Sequence, residues 1–288
     1  MKPHLLKIPL QPEHSFNVRY DAVSHFYDKW HYHAEAELVY IIKGSGWQFI
    51  GDTVHHFKPG DLILLGANLP HLWRSDEQFL EKGSGLRVEA IVIHFRPDCF
   101  GEAFFRLPEN IAIHKLLVGA ERGVRVEAGI RPVVAGMMES LLSATATERV
   151  LLLIRILQTI ACSAPLDNIC DNGLQFSYNP AETDRLNTIY QYIMDNFSRP
   201  ITLEQMAQLA HLTPHAFCRY FKLRIKKTFS QFLLEVRIGH ACKLLAETDK
   251  TVAAICYECG FNNFSNFNRH FKTIRGVSPL AYRKRCQN

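Results

Sequence analysis

Thr202-Leu-Glu-Gln-Met-Ala-Gln-Leu-Ala-His-Leu212 and Thr251-Val-Ala-Ala-Ile-Cys-Tyr-Glu-Cys-Gly-Phe261 are two copies of one pattern. At one constant offset Leu203, Met206, Ala207, Ala210 and Leu212 match Val252, Ile255, Cys256, Cys259 and Phe261. Apolar residues at i, i+3, i+4 and i+7 predict a short amphipathic helix in each copy. Thr202 and Gln205 have the spacing of a capping box, so the first helix begins there. One residue is then added to the turn, and Phe217, Arg219, Phe221 and Lys222 align with Phe267, Arg269, Phe271 and Lys272. Thr213-Pro214 supplies an N-cap and a first-turn proline to the second helix of the first copy. Helix, tight turn, helix is therefore written twice.

Between the copies Leu234, Ile238, Ala241 and Leu245 make a further helical stripe within Phe229 to Glu247. At about 1.5 Å per residue that helix spans roughly 30 Å. Successive major-groove segments on one face of B-DNA lie about 34 Å apart, so two heads on such a rod can enter both. Charge points the same way: residues 183–288 hold 16 Lys and Arg against 7 Asp and Glu, while residues 1–182 hold 17 against 21. A basic domain behind an acidic one suits a polyanionic partner for the back third alone.

The second copy, Gly260-Phe261-Asn262-Asn263-Phe264-Ser265-Asn266-Phe267-Asn268-Arg269-His270-Phe271-Lys272, followed by Gly276-Val277-Ser278-Pro279 and Tyr282-Arg283, resembles the signature of the AraC/XylS transcription regulators. The resemblance covers roughly residues 183–286 and implies double-stranded DNA as a partner. Pro214–Arg224 and Asn263–Ile274 are then the recognition helices. His215, Cys218 and Arg219 in the first, and Ser265, Asn266, Asn268 and Arg269 in the second, match the family's DNA-facing positions. Arg pairs bidentately with guanine and Asn with adenine, so these residue types tell bases apart. Lys222, Lys272, Arg275 and Arg283 are expected on phosphates, which set register and salt dependence. The chain departs from the family at Lys226, which stands where the second copy has Gly276, so the first recognition helix is expected to end differently.

From Phe16 to Phe95 short apolar segments alternate with turns such as Gly44-Ser45-Gly46, Gly51-Asp52 and Pro59-Gly60-Asp61, which predicts a sandwich or barrel. His31-Tyr-His33-Ala-Glu-Ala-Glu37, with Gly44, Pro59-Gly60-Asp61 and Pro70-His71, resembles the two cupin motifs, the second shortened. His31, His33 and Glu37 share parity along an extended strand and project to one face. The resemblance implies that His71 joins them in the three-His, one-carboxylate set that holds a divalent metal in cupin enzymes. Cupins joined to AraC-type DNA-binding domains usually serve as sensors. The preferred reading is accordingly an effector site without cofactor, lined by His31, His33, Glu37, Trp47, His71 and Arg74, with a divalent metal on His31, His33, Glu37 and His71 as the alternative. A sugar or small acid suits aromatic faces beside polar groups.

The expected architecture is two domains: an all-β cupin-like barrel with appended helices over 1–162, a linker over 163–182, and an all-α tandem helix-turn-helix domain over 183–288. Ile130, Val133, Val134, Met137, Met138, Leu141 and Leu142 form one helical stripe and Val150 to Ile160 another. One packs on the barrel and the family resemblance assigns the other to a homodimer. Val150 to Ile160 is interrupted by Arg155 and Gln158 and is shorter than the roughly 20 residues a membrane span requires. Met1 to Lys7 carries no signal-peptide pattern, which reads as cytoplasmic. The eight cysteines are then free thiols, and Cys256-Tyr-Glu-Cys259, with no second ligand pair, is a core feature. The function expected is a transcription regulator, an activator as is usual in this family, that answers a small effector and engages RNA polymerase. No catalytic residue is assigned; the competing class is a metal-dependent cupin enzyme fused to a DNA-binding domain, for which the duplicated helix-turn-helix has no use.

Overall fold

The unbroken apolar runs of the front third are strands covered on both faces, as runs without alternation require. In the computed structural model, which describes residues 4–8, 13–81, 84–163, 165–170 and 181–287, they begin with β1 (His4–Leu5), β2 (Phe16–Val23), β3 (His31–Tyr32), β4 (Ala36–Lys43) and β5 (Gly46–Ile50). β6 (Thr53–Phe57), β7 (Leu62–Leu65), β8 (His71–Ser75), the short helix α1 (Glu77–Leu80) and β9 (Val88–Phe95) follow. Next come α2 (Glu102–Phe105), α3 (Ile111–Ala120), β10 (Val124–Arg125), α4 (Arg131–Ser143), α5 (Ala146–Ala161) and β11 (Asp167–Asn168). The strands form a five-stranded sheet, β1-β3-β8-β5-β6, and a six-stranded sheet, β11-β10-β7-β4-β9-β2. The cupin-like domain is thus two facing sheets rather than one closed ladder.

β4 lies at the centre of this arrangement. Val39 and Ile41 join Ile63, Val92, Phe57 and Trp73 in the core between the sheets. Leu38, with Leu62, Leu64, Ile91 and Ile93, faces the other way and packs with Val134, Met138 and Leu141 of α4 and Leu153, Ile156 and Leu157 of α5. The appended helices therefore close the outer face of the larger sheet. The barrel unit also runs past the expected boundary at residue 162. β11 pairs with β10, and Ile169 and Cys170 are buried in the inter-sheet core; two adjoining apolar side chains there were hidden among polar, turn-forming neighbours. Of the expected linker 163–182, residues 164 and 171–180 lie outside the described residues. The chain divides into its two units near residue 178.

The second unit is helical: α6 (Ala181–Asn196), α7 (Leu203–Leu209), α8 (Pro214–Ile225), α9 (Phe229–Glu247), α10 (Val252–Glu258), α11 (Phe264–Arg275) and α12 (Pro279–Gln287). Side-chain caps fix five of the starts. Thr202 and Gln205 form the capping box of α7 and Thr228 and Gln231 that of α9, while Thr213, Thr251 and Asn263 cap α8, α10 and α11. Each repeat has its own aromatic core. Phe217 and Phe221 pack with Phe229 and Phe232, and Phe267 and Phe271 pack with Phe261 and Tyr282. α9 contributes its first turns to one cluster and Ile238, Ala241, Cys242 and Leu245 to the other, which makes it the strut between the heads.

Candidate nucleic-acid interface and effector site

Burial of the paired Phe residues decides what the recognition helices show to solvent. With Phe217 and Phe221 inside, His215, Cys218, Arg219 and Lys222 are exposed on α8; their i, i+3, i+4, i+7 spacing puts them on one face. On α11 Ser265, Asn266, Arg269 and Lys272 are exposed and Asn268 is half-buried. Arg269 Nη2 donates to Asn266 Oδ1 at 3.2 Å, so the two base-reading candidates form one preset unit. Two expected phosphate contacts depart from this surface. Arg283 donates through Nε and Nη2 to the carbonyls of Leu245 and Lys250, closing the C-terminal end of α9 that lacks a basic residue of its own. Arg275 is half-buried with its guanidinium against the Cys242 thiol.

The first recognition helix ends as the second does, contrary to the expectation from Lys226. Lys226 holds φ +60°, ψ 1°, and Gly276 φ +73°, ψ −9°. The turn between helices repeats the contrast, with His211 at φ +53° where the second copy has Gly260 at φ +79°. Gly260 is needed for space as well as torsion, because a Cβ there would sit 2.8 Å from the carbonyl oxygens of Phe197 and Ser198. Cys256 and Cys259 are fully buried in the core of the second repeat.

In the first unit His31, His33, Glu37 and His71 converge, all buried, with their donor atoms within 4.8 Å of one another. They do not share one strand. His31 is on β3 of the smaller sheet and Glu37 on β4 of the larger, and the chain bends between them; convergence comes from the sheets facing each other. His71 is the register partner of His31. Glu37 Oε2 lies 2.9 Å from His33 Nε2 and 3.3 Å from His71 Nε2. It also lies 3.0 Å from Nε2 of His94, a residue sequence reasoning passed over. His94 sits opposite Glu37 in the β4–β9 ladder. Its only sequence signal is a polar side chain closing the apolar run of β9.

Burial alone pushes the Glu37 carboxyl up, but the charges of His71 and His94 and the hydrogen bonds from its His neighbours outweigh it and hold the group well below the usual carboxylate range. Burial, reinforced by His71, drives His31 well below the ordinary histidine range, and burial lowers His94. Of the cluster, His31, Glu37 and His94 line a cavity of about 320 Å³, whereas His33 and His71, expected there, do not. Val39, Ile41, Trp73 and Val92 give it an apolar wall, and Arg19, Asp21, His25 and Tyr27 a polar one. Trp47 and Arg74 are corrected by register. They pair with each other across β5 and β8, whereas Gln48 pairs with Trp73 and Ile50 with His71. Side chains alternate along a strand, so Trp47 and Arg74 occupy the opposite face of the smaller sheet and do not line the cavity.

Comparison with known proteins finds a family match in each unit. Residues 17–124 match the family described as the AraC-like ligand binding domain, and residues 206–285 match a helix-turn-helix domain. The chain belongs to the AraC family of transcriptional regulators. This AraC-family chain is 26% identical over 269 residues to an HTH-type transcriptional regulator of Haemophilus influenzae, covering 85% of this chain and 84% of that one. It is 22% identical to the transcriptional activator RhaR of Mannheimia succiniciproducens over 88% of this chain and 87% of the relative. With the regulator YdeC of Bacillus subtilis the identity is 31%, but the match spans 41% of each protein. Among solved structures, the C-terminal domain of the response regulator AraT from Geobacillus stearothermophilus is 29% identical over 37% of this AraC-family chain and 85% of its own, with a TM-score of 0.34. ToxT from Vibrio cholerae is 13% identical over 94% of this chain and 98% of its own, with a TM-score of 0.36. Among the described residues no helix is long and apolar enough to cross a membrane.

Proposed function

We propose that this AraC-family regulator is a sequence-specific activator that reads two adjacent major-groove segments with α8 and α11, and that a small molecule in the cavity beside Glu37 controls it. The observation that carries the reading is the duplicated helix-turn-helix with two exposed reader faces. His215, Cys218 and Arg219 read bases from one head and Ser265, Asn266, Asn268 and Arg269 from the other, while Lys222 and Lys272 hold phosphates. The α9 strut of 19 residues, about 28 Å long, suits heads one helical turn apart. The effector is a sugar or small acid. Asp21, His25 and Tyr27 offer hydroxyl partners, Arg19 offers a carboxylate partner, and the wall around Trp73 takes apolar atoms. The chain works in the cytoplasm and catalyses no reaction.

It acts as a homodimer through Val133, Leu142 and Leu151, which remain 59%, 40% and 61% exposed on α4 and α5. The effector shifts which half-sites the dimer engages and how it recruits RNA polymerase, and that requires differential affinity for the two arrangements. Binding to a pool of random duplexes at two salt concentrations, with sequencing of the bound fraction, tests the core of the proposal. The expected result is an enriched motif with two elements one helical turn apart; salt-sensitive binding without enrichment would overturn sequence-specific readout.

A further inference from the structure

The first turn of α11 carries a side chain that neither the core nor the polar readers account for. Asn263 caps the helix by accepting from the Asn266 amide, which places Phe264 at the first helical position. Phe264 is 40% exposed, and it is the one large apolar side chain that α11 leaves in solvent. Phe267 and Phe271 fill the core of the repeat and are completely buried, so Phe264 is not needed there. Nor does the helix start require an aromatic residue, because Pro214 occupies the equivalent position behind the Thr213 cap of α8.

Single exposed apolar residues are common on protein surfaces; the place of this one gives it a use. Phe264, Asn268 and Lys272 form an i, i+4, i+8 row on α11, beside the row of Ser265 and Arg269. The ring therefore heads the reader face, at the end of a recognition helix whose N-terminal residues reach base edges. Its centroid lies 6.4 Å from that of Phe267, with the ring planes 34° apart. A buried ring thus backs one side of Phe264 and reduces the rotamer freedom it has to lose on binding. Hydrogen bonds read the polar atoms of a base edge, and Ser265, Asn268 and Arg269 supply those. The 5-methyl group of thymine is the apolar mark in the major groove, and Phe is among the side chains that contact it. A phenyl ring has no donor for a phosphate, which separates its role from that of Lys272.

We propose that Phe264 is a specificity-determining residue of the second head, selecting thymine by packing on its 5-methyl group. The proposal rests on the sequence-specific readout proposed above and adds to it a base and a contact that hydrogen-bonding residues cannot supply.

Deoxyuridine differs from thymidine only in lacking that methyl, so replacing the thymines of the selected duplex with it, one at a time, tests the contact on the full-length chain. Fluorescence anisotropy reads the dissociation constant for each duplex. At one thymine position the wild-type chain should lose about fourfold in affinity, the worth of one buried methyl group. Phe264→Ala should bind the thymine and deoxyuridine duplexes equally at that position, and Phe264→Leu, which keeps an apolar side chain, should retain part of the preference. Circular dichroism of the free variants reports whether the helices persist, and the wild-type substitution series needs no variant at all. A selected motif without thymine, a wild-type chain indifferent to deoxyuridine at every thymine, or an unchanged thymine preference in folded Phe264→Ala would each overturn the proposal and leave tandem readout standing. A selection that enriches no motif would overturn both.

Discussion

Lys226→Gly should stabilise the DNA-binding unit. Lys226 holds φ +60° at the C-terminus of α8, a conformation that costs an L-residue roughly 1–2 kcal/mol. Glycine removes that cost but adds freedom to the unfolded chain worth about 0.5–1 kcal/mol. The net is a gain of about 0.5–1 kcal/mol, which for a unit of this size raises the melting temperature by a few degrees. The Lys226 side chain is exposed, so little packing is lost. Gly276→Lys is the mirror experiment. Its φ is +73° and a Cβ there would meet nothing within 4 Å, so the cost is confined to the backbone and should be about the same size with opposite sign. The chain has a built-in means of watching the units separately, because its three tryptophans, Trp30, Trp47 and Trp73, all precede the DNA-binding unit. Tryptophan emission follows the sensor, and far-ultraviolet circular dichroism adds the helices of the second unit. The Lys226→Gly variant should move the helical transition upward and leave the tryptophan transition in place. A helical transition that fell in Lys226→Gly while also falling in Gly276→Lys would refute the idea that the two turns are equivalent.

Arg269→Ala should cost about 1–3 kcal/mol on the selected duplex and relax one base preference; equal loss on selected and random duplexes, read by fluorescence anisotropy, would make Arg269 a phosphate contact. Gly260→Ala should lower the helical melting transition by more than Gly276→Ala does, since only at Gly260 does the new Cβ meet backbone oxygens; equal losses would remove the steric argument. Burial pushes the Cys170 and Cys259 thiols up to about 12, so alkylation of the native chain at neutral pH should mark the exposed Cys162, Cys218 and Cys286 and spare Cys170, Cys242, Cys256 and Cys259. Mass spectrometry reads both that pattern and a second outcome, that bound duplex slows labelling of Cys218 but not of Cys162; an unprotected Cys218 would turn that face of α8 away from DNA.

The second unit was legible in the sequence because its signals are local. Capping residues, paired Phe four apart and the i, i+3, i+4 stripes lie within single helices, and the repeat supplied each reading twice. What the sequence concealed there was a choice between two uses of one residue type. Arg283 and Arg275 have the composition of phosphate contacts, but the open end of α9 and the pocket at Cys242 recruit them, and those partners lie more than 30 residues away in the chain. Lys226 misled for a related reason. The absence of glycine suggested a different turn, whereas the packing of Ile225 and Phe229, both buried on either side of it, holds a lysine in the left-handed region.

The sensor site was half legible, and the division follows from sheet geometry. The dense His31-to-Glu37 motif named three of the five residues, and the Pro70-His71 pair named a fourth. Parity along one strand was the wrong reason for their convergence, since the chain changes sheet between His31 and Glu37. His94 was invisible because its place depends on the β4–β9 register, a pairing across 57 residues. The β5–β8 register likewise explains why Trp47 and Arg74 fail as pocket walls: in a two-sheet domain, closeness in sequence to a site residue places a side chain on the site's face only half the time. The residue the sequence concealed is also the one that sets Glu37 apart from a simple ion-pair partner. With His94 donating to Oε2 from β9 and His33 Nε2 2.9 Å from the same oxygen, the carboxylate is fixed by partners on either side of it in the sequence, and only one of the two is written in the local motif.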